Sequence, residues 1–278
     1  MAFRDIVVQV DASVASERRA RYAARVADHL KAHLTGVFLR PTITYQYFRG
    51  GVSVDVPLTV PQPAIDAYNE AMDRTERAAR ARFEDATASG GQSRSWRSLN
   101  ADFGDELIAA MRRTDLTVLP QGHMPIVAER DADAASLTLQ SGAPVLILPD
   151  GAAEGPIGRR ILVAWNGSRE AARALREAWP LISGAEQVCV LIVGETSQDA
   201  SEPELRQLFE RHQVRANFIF REGDDGSAGR AMLEEVTGQA IDLVVMGLYG
   251  HSRWRETVLG GASRQMTRHS PVALFVSH

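Results

Sequence analysis

The feature that most constrains this chain is that it reads twice. Ile6-Val7-Val8-Gln9-Val10-Asp11 is a short, β-branched run that ends at an acid and a small-residue turn. Ile161-Leu162-Val163-Ala164-Trp165-Asn166 repeats it 155 residues later, and the same shift puts Ser13 on Ser168. A helical pattern follows each copy. Two later landmarks recur at a common shift of 127 residues. Thr114-Asp115-Leu116-Thr117-Val118-Leu119 returns as Ile241-Asp242-Leu243-Val244-Val245-Met246, and the strand after Pro144 returns after Pro271. Two landmarks at one shift are not expected by chance. The change of shift means that the first half holds about 28 extra residues. They fall in a Gly/Pro/aromatic loop at residues 41–63, ahead of a long helical pattern from about Ile65 to Ala88.

Within each half the order is strand, helix, strand, helix, strand, helix, strand, helix, strand. The strands are short, apolar and β-branched, as expected where both faces of a parallel sheet are buried. Alternation of this kind predicts a doubly wound α/β sheet with right-handed crossovers. The predicted domains are residues 1–150, with the loop insertion near 41–63, and residues 157–278. A breaker-rich linker, Asp150-Gly151-Ala152-Ala153-Glu154-Gly155-Pro156, joins them.

Composition excludes several functions. The length of 278 residues suits two domains. The net charge of -4 gives no basic field for nucleic acid or an anionic membrane. No apolar run reaches transmembrane length and no signal-type segment opens the chain, so a cytoplasmic protein is expected. The one cysteine, Cys189, lies in an apolar run and reads as a buried, inert thiol. Lys31 is the only lysine, and it lies in a helical stretch rather than after a glycine loop. That excludes a P-loop, a Schiff-base cofactor site and a kinase strand lysine.

The chemistry is concentrated late in the second half. Gly247-Leu248-Tyr249-Gly250 follows an apolar strand, and Gly260-Gly261-Ala262-Ser263 opens a helical pattern. Glycine after a strand lets backbone approach a ligand closely. Glycines at a helix start expose N–H groups at the positive end of the dipole, which suits an anion. Sheets of this class place ligands beyond the carboxyl ends of strands, here Asn166, Val193-Gly194 and Gly247.

The tandem arrangement, the run Ile161 to Ser168 and the segment Met246-Gly247-Leu248-Tyr249-Gly250-His251-Ser252-Arg253 resemble the universal stress protein family in its two-domain form. The resemblance covers nearly the whole chain. It implies two Rossmann-like domains of the adenine-nucleotide hydrolase-like class. It also implies that residues 157–278 bind ATP or AMP, possibly with magnesium, in a regulatory or protective role. Gly247, Gly250 and Gly260 match the family's Gly, two residues, Gly, nine residues, Gly loop, and Met246 precedes it. Ala164, Trp165 and Asn166 fall at the adenosine position, and Val193 falls where the family contacts adenine. Two positions depart from the pattern. Asn166 replaces an aspartate, and Gly261 replaces a hydroxyl residue, whose phosphate contact Ser263 is left to supply beside Ala262. His251 either neighbours a phosphate or packs in the loop.

At the same shift the first half offers Pro120, His123, Asp133 and Ala134 in place of Gly247, Gly250, Gly260 and Gly261. Proline donates no N–H and Asp133 repels phosphate, so this domain is expected to be degenerate. Its loop, with Tyr45, Tyr47 and Phe48, serves packing or a partner. A nucleotide-free interaction protein and an AMP-transferring enzyme are the alternative readings. No catalytic triad or base is visible, so at most slow hydrolysis is expected.

Further expectations come from the residues and from the resemblance. Ser89-Gly90-Gly91-Gln92-Ser93 reads as a helix end and turn. His29 and His33 have helical i, i+4 spacing without a third ligand, so they read as solvated. The last strands of the halves, around Val145 and Val272, are the expected pairing edges of an internal pseudo-dimer, and association of whole chains into a homodimer is possible. A branched side chain at Gly247 is expected to block phosphates while leaving the fold largely intact.

Overall fold

The computed structural model describes residues 3–43, 60–102, 104–122, 124, 133–151, 157–194, 202–249 and 261–278. The first half runs β1 (Asp5–Val10), α1 (Val14–Leu30), β2 (His33–Arg40), α2 (Gln62–Thr87), β3 (Arg94–Asn100), α3 (Asp105–Met111), β4 (Leu116–Pro120), α4 (Ala134–Ser141) and β5 (Val145–Leu148). The second half runs β6 (Arg160–Trp165), α5 (Arg169–Ile182), β7 (Gln187–Gly194), α6 (Glu202–Arg211), β8 (Ala216–Glu222), α7 (Asp225–Gly238), β9 (Leu243–Gly247), α8 (Gly261–His269) and β10 (Ala273–Ser277). The strands form one ten-stranded sheet in the order β3-β2-β1-β4-β5-β10-β9-β6-β7-β8. Neighbours run parallel except at the centre, where β5 and β10 pair antiparallel through Val145–Val276 and Ile147–Leu274. The last strands of the two halves thus meet as expected.

Alternate strand residues feed two apolar layers. Val8, Val118, Leu146, Val163, Val245 and Phe275 face one side, under α1, α2, α5 and α6. Val7, Leu119, Ile147, Leu162, Val244 and Leu274 face the other. Burial on both faces explains why these strands read as continuous apolar runs. Each layer crosses the midline of the sheet, so the halves share their core.

The repeat is visible in hydrogen bonds as well as in sequence. The Asp115 carboxylate accepts from the Arg4 and Asp5 amides at 2.7 and 3.0 Å. Its counterpart Asp242 accepts from the Arg159 and Arg160 amides, both at 3.1 Å. Burial pushes the Asp242 carboxyl above its ordinary range. Ser13 caps α1 by accepting from the Ser16 amide, and Ser168 caps α5 by accepting from the Ala171 amide. Such caps satisfy helix N–H groups that have no intrahelical partner.

Two expectations change in detail. Lys31 is not on a helix face. It is the C-cap of α1 in the left-handed region, with φ 55°, and its N–H turns back to the Ala27 and Asp28 carbonyls. His29 and His33 do not share a helix, because α1 ends at Leu30 and His33 opens β2. The His33 ring lies between the Ser93 and Ser95 hydroxyls, at 2.7 and 2.8 Å. Among the described residues no cluster of metal-binding side chains occurs, and no helix is long and apolar enough to cross a membrane. The Ser89–Ser93 stretch does end a helix, and its Gly91 and Gln92 amides donate to the Asp28 carboxylate. Cys189 is fully buried in β7.

Candidate functional site

In each half the chain leaves the first strand for one side of the sheet and later returns to the other. The reversal lies between β1 and β4 in the first half and between β6 and β9 in the second. A crevice forms at the carboxyl ends of the strands at such a point. Ala164 and Trp165 are the last residues of β6 and are half-buried, and Asn166 follows them exposed. The Asn166 side-chain Oδ1 accepts from the Ser168 amide at 3.2 Å, as the Asp11 carboxylate accepts from the Ser13 amide at 2.8 Å. Asparagine therefore keeps the turn that aspartate makes, without the charge. Val193 lies near the end of β7, half-buried against the second apolar layer.

Met246 and Gly247 end β9. Met246 is buried, so only its backbone can face a ligand. Gly247 is required for a reason that the sequence did not disclose. A Cβ there would sit 2.5 Å from the Ala171 nitrogen and closer still to the Glu170 carbonyl carbon. The strand end is pressed against the backbone of the first turn of α5. A side chain at 247 would displace that helix, so the expectation of a clean block with an intact fold is overturned.

Gly261 opens α8, Ala262 is half-buried and Ser263 is buried. The Ser263 hydroxyl accepts from the Tyr249 amide at 3.2 Å. Tyr249 holds φ 55°, a conformation that costs a non-glycine residue about 1–2 kcal/mol. The serine thus braces the turn after β9, and its remaining O–H is what it can offer a ligand. Gly250, His251 and Gly260 lie outside the described residues, as do Tyr45, Tyr47 and Phe48.

Glu170 is a neighbour that sequence reasoning missed. It occupies the first turn of α5, 4% exposed, beside Gly247. Burial pushes its carboxyl up, but the hydrogen bond and charge of Arg169 outweigh that, and the group ends below its ordinary range. An acid in the first turn of a helix was the available signal. His278 lies close by, its Nδ1–H donating to the Leu248 carbonyl at 2.9 Å.

In the first half a buried guanidinium lies at the end of β1. Arg19, on α1, is 4% exposed. Its Nε donates to the Gln9 carbonyl at 2.8 Å, and its Nη2 donates to the Gln9 side chain at 2.7 Å and to Asp11 at 3.1 Å. Burial pushes the Asp11 carboxyl up, while the Ser13 hydrogen bonds and the Arg19 charge pull it further down, leaving it below its ordinary range. The corresponding residues of the second half are Ala164, Asn166 and Ala174.

Comparison with known proteins matches this architecture. Residues 158–278 match the model of the universal stress protein family. The universal stress protein Slr1230 of Synechocystis is 26% identical over 64% of this chain, and the match spans 58% of that relative's length. A universal stress protein from Archaeoglobus fulgidus shares the fold with a TM-score of 0.72 at 18% identity, over 98% of this chain and 97% of that one. One described as a putative universal stress protein from Pseudomonas aeruginosa aligns over 99% and 93% of the two chains, with a TM-score of 0.57 at 15% identity. Through its second half, residues 158–278, the chain is similar to the universal stress protein family.

Proposed function

We propose that this protein is a tandem universal stress protein that binds one adenine nucleotide, ATP or AMP, in its second half, and that the occupied state regulates a protective response. The observation that carries the reading is the contrast between the crevices. A buried guanidinium bonds to Gln9 and Asp11 at the end of β1 in the first half, while alanines stand at the matching positions 164 and 174 of the second. The β6–β9 reversal, the α8 N-terminus at Gly261 and the Ser263 hydroxyl supply surroundings suited to a ribose and phosphates. Magnesium has weak purchase there. Asn166 is neutral, Glu170 is engaged by Arg169, and Mg²⁺ favours anionic oxygen ligands. Catalysis is not part of the proposal.

The test is direct. Gently purified protein is denatured and its supernatant chromatographed, and the stripped protein is then titrated with ATP and AMP by calorimetry. About one adenine nucleotide per chain, or one site in the titration, is expected. No released nucleotide together with no binding heat would leave the reading without support, and two equivalent sites would refute the role of Arg19.

A further inference from the structure

The ten-stranded sheet ends at two edges, β3 and β8. An open edge presents a row of N–H and C=O groups that pair readily with another strand unless charge or shape prevents it. The two edges differ in this respect. β3 reads Arg-Ser-Trp-Arg-Ser-Leu-Asn, with Arg97 at its centre. Laid antiparallel on its own copy, it would set arginine against arginine, which is destabilising. β8 reads Ala-Asn-Phe-Ile-Phe-Arg-Glu, with Ile219 at its centre and Phe218, Ile219 and Phe220 all half-exposed.

The register of β8 on itself follows from its bonds to β7. The Gly223 amide donates to the Gly194 carbonyl, so the odd-numbered residues of β8 bond inward. Residues 216, 218, 220 and 222 therefore turn their N–H and C=O groups outward. Full antiparallel overlap of two copies places Ile219 on the two-fold axis, Phe218 opposite Phe220, and Ala216 opposite Glu222. All three pairs are compatible with the outward groups.

The charges fit the same register. Beside Ala216 lies a hollow of ≈ 370 Å³ between α6 and β8, whose lining includes Arg206, Arg215 and Phe218. The Arg206 guanidinium lies 4.1 Å over the Phe218 ring and pairs with Glu202 on its own helix, Glu210 also lines the hollow, and Arg215 is the second arginine there. Glu222 is exposed and makes no ion pair among the described residues. Overlap would bring this acid from one copy over the two arginines of the other, twice by symmetry.

We propose that β8 is a self-complementary edge through which two copies of the chain pair antiparallel, extending the sheet to twenty strands. The surface is the outer edge of β8, whose inner edge pairs with Val193 and Gly194 of β7. It is also distinct from the β5–β10 pairing, which already consumes the inner edges within one chain.

Sedimentation velocity and hydrogen exchange test the proposal on the full chain. The parent protein should sediment at twice the chain mass at micromolar concentration, with the 218 and 220 amides slow to exchange. Ile219→Lys, which sets ammonium against ammonium, should halve the mass and release those amides. Glu222→Arg changes an exposed side chain and tests the pairing without disturbing the core. It should also give the monomer, and adding Arg215→Glu should restore the dimer. Circular dichroism of each variant separates dissociation from misfolding. A monomeric parent would overturn the proposal, and so would a dimer that survives both Ile219→Lys and Glu222→Arg.

Discussion

Arg19 and Ala174 occupy the same place in the two halves, the sixth residue of the helix that follows the first strand. Around them the halves agree closely. Ser13 and Ser168 cap the two helices, and Asp115 and Asp242 pin the strand starts. At the carboxyl end of the sheet they part. The first half spends the reversal between β1 and β4 on a guanidinium bonded to Gln9 and Asp11. The second half keeps alanine there. One fold thus carries a buried guanidinium network at the end of its first strand in one half and a buried alanine at the same helix position in the other.

The comparison can be broken or sharpened at several positions. The largest effect is expected at Gly247, where a Cβ meets the backbone of Glu170 and Ala171. Gly247→Val should cost at least the about 1–3 kcal/mol typical of overpacking. Urea unfolding and nucleotide content, measured together, should fall together. Loss of binding at unchanged stability would mean that the close approach is relieved elsewhere.

Arg19→Met comes next. It removes the charge beside Asp11 and leaves the Gln9 side chain without its donor. The expected loss is roughly 3 kcal/mol, at the low end for a broken buried pair because Asp11 keeps access to water. Nucleotide content of the second half should not change. If it does, the halves are coupled and the comparison must be redrawn.

Restoring the family pattern with Asn166→Asp and Gly261→Ser should tighten magnesium–ATP binding about ten-fold, the scale of one added hydrogen bond to a charged group. Calorimetry with and without magnesium, on the single and double variants, separates the metal contribution from the hydroxyl contribution. A double variant no tighter than the parent in either condition would remove ATP as the favoured ligand.

The helix caps test where the halves agree. Ser13→Ala and Ser168→Ala should each cost about 1 kcal/mol, and by similar amounts. Unequal losses in thermal unfolding would show that the two helix starts are stabilised differently despite equal geometry.

The smallest effect concerns pH. The Asp11 carboxyl is lowered in the folded protein. Its contribution is therefore complete above the unfolded value of about 3.9 and is lost as pH falls through the lower folded value. Arg19→Met should flatten that acid limb in a series of thermal midpoints, whereas Ala174→Ser should leave it in place.

Much of this was legible in the sequence because it is local or periodic. The repeat, the alternation of elements and the Asp115/Asp242 landmarks follow from patterns along the chain, and the pairing of the last strands from the repeat together with the family resemblance. The candidate site was legible only in part. Asn166, Val193, Gly247 and Gly261 gather at strand ends or a helix start because topology carries them there. Glu170 escaped notice because its packing on Gly247 joins residues 77 positions apart. Ser263 read as a free hydroxyl because its bond to Tyr249 depends on how a loop returns to the sheet.

The sequence by itself determined the number of halves, the class of sheet and the segment with the chemistry, since hydrophobic period and turn residues act over a few positions. Only the tertiary structure decided that Arg19 closes on Gln9 and Asp11 and why Gly247 cannot change. Only it, too, decided which edge of the sheet is left apolar and open. Those properties depend on contacts between distant segments at separations of a few ångströms, and no local pattern encodes such a distance.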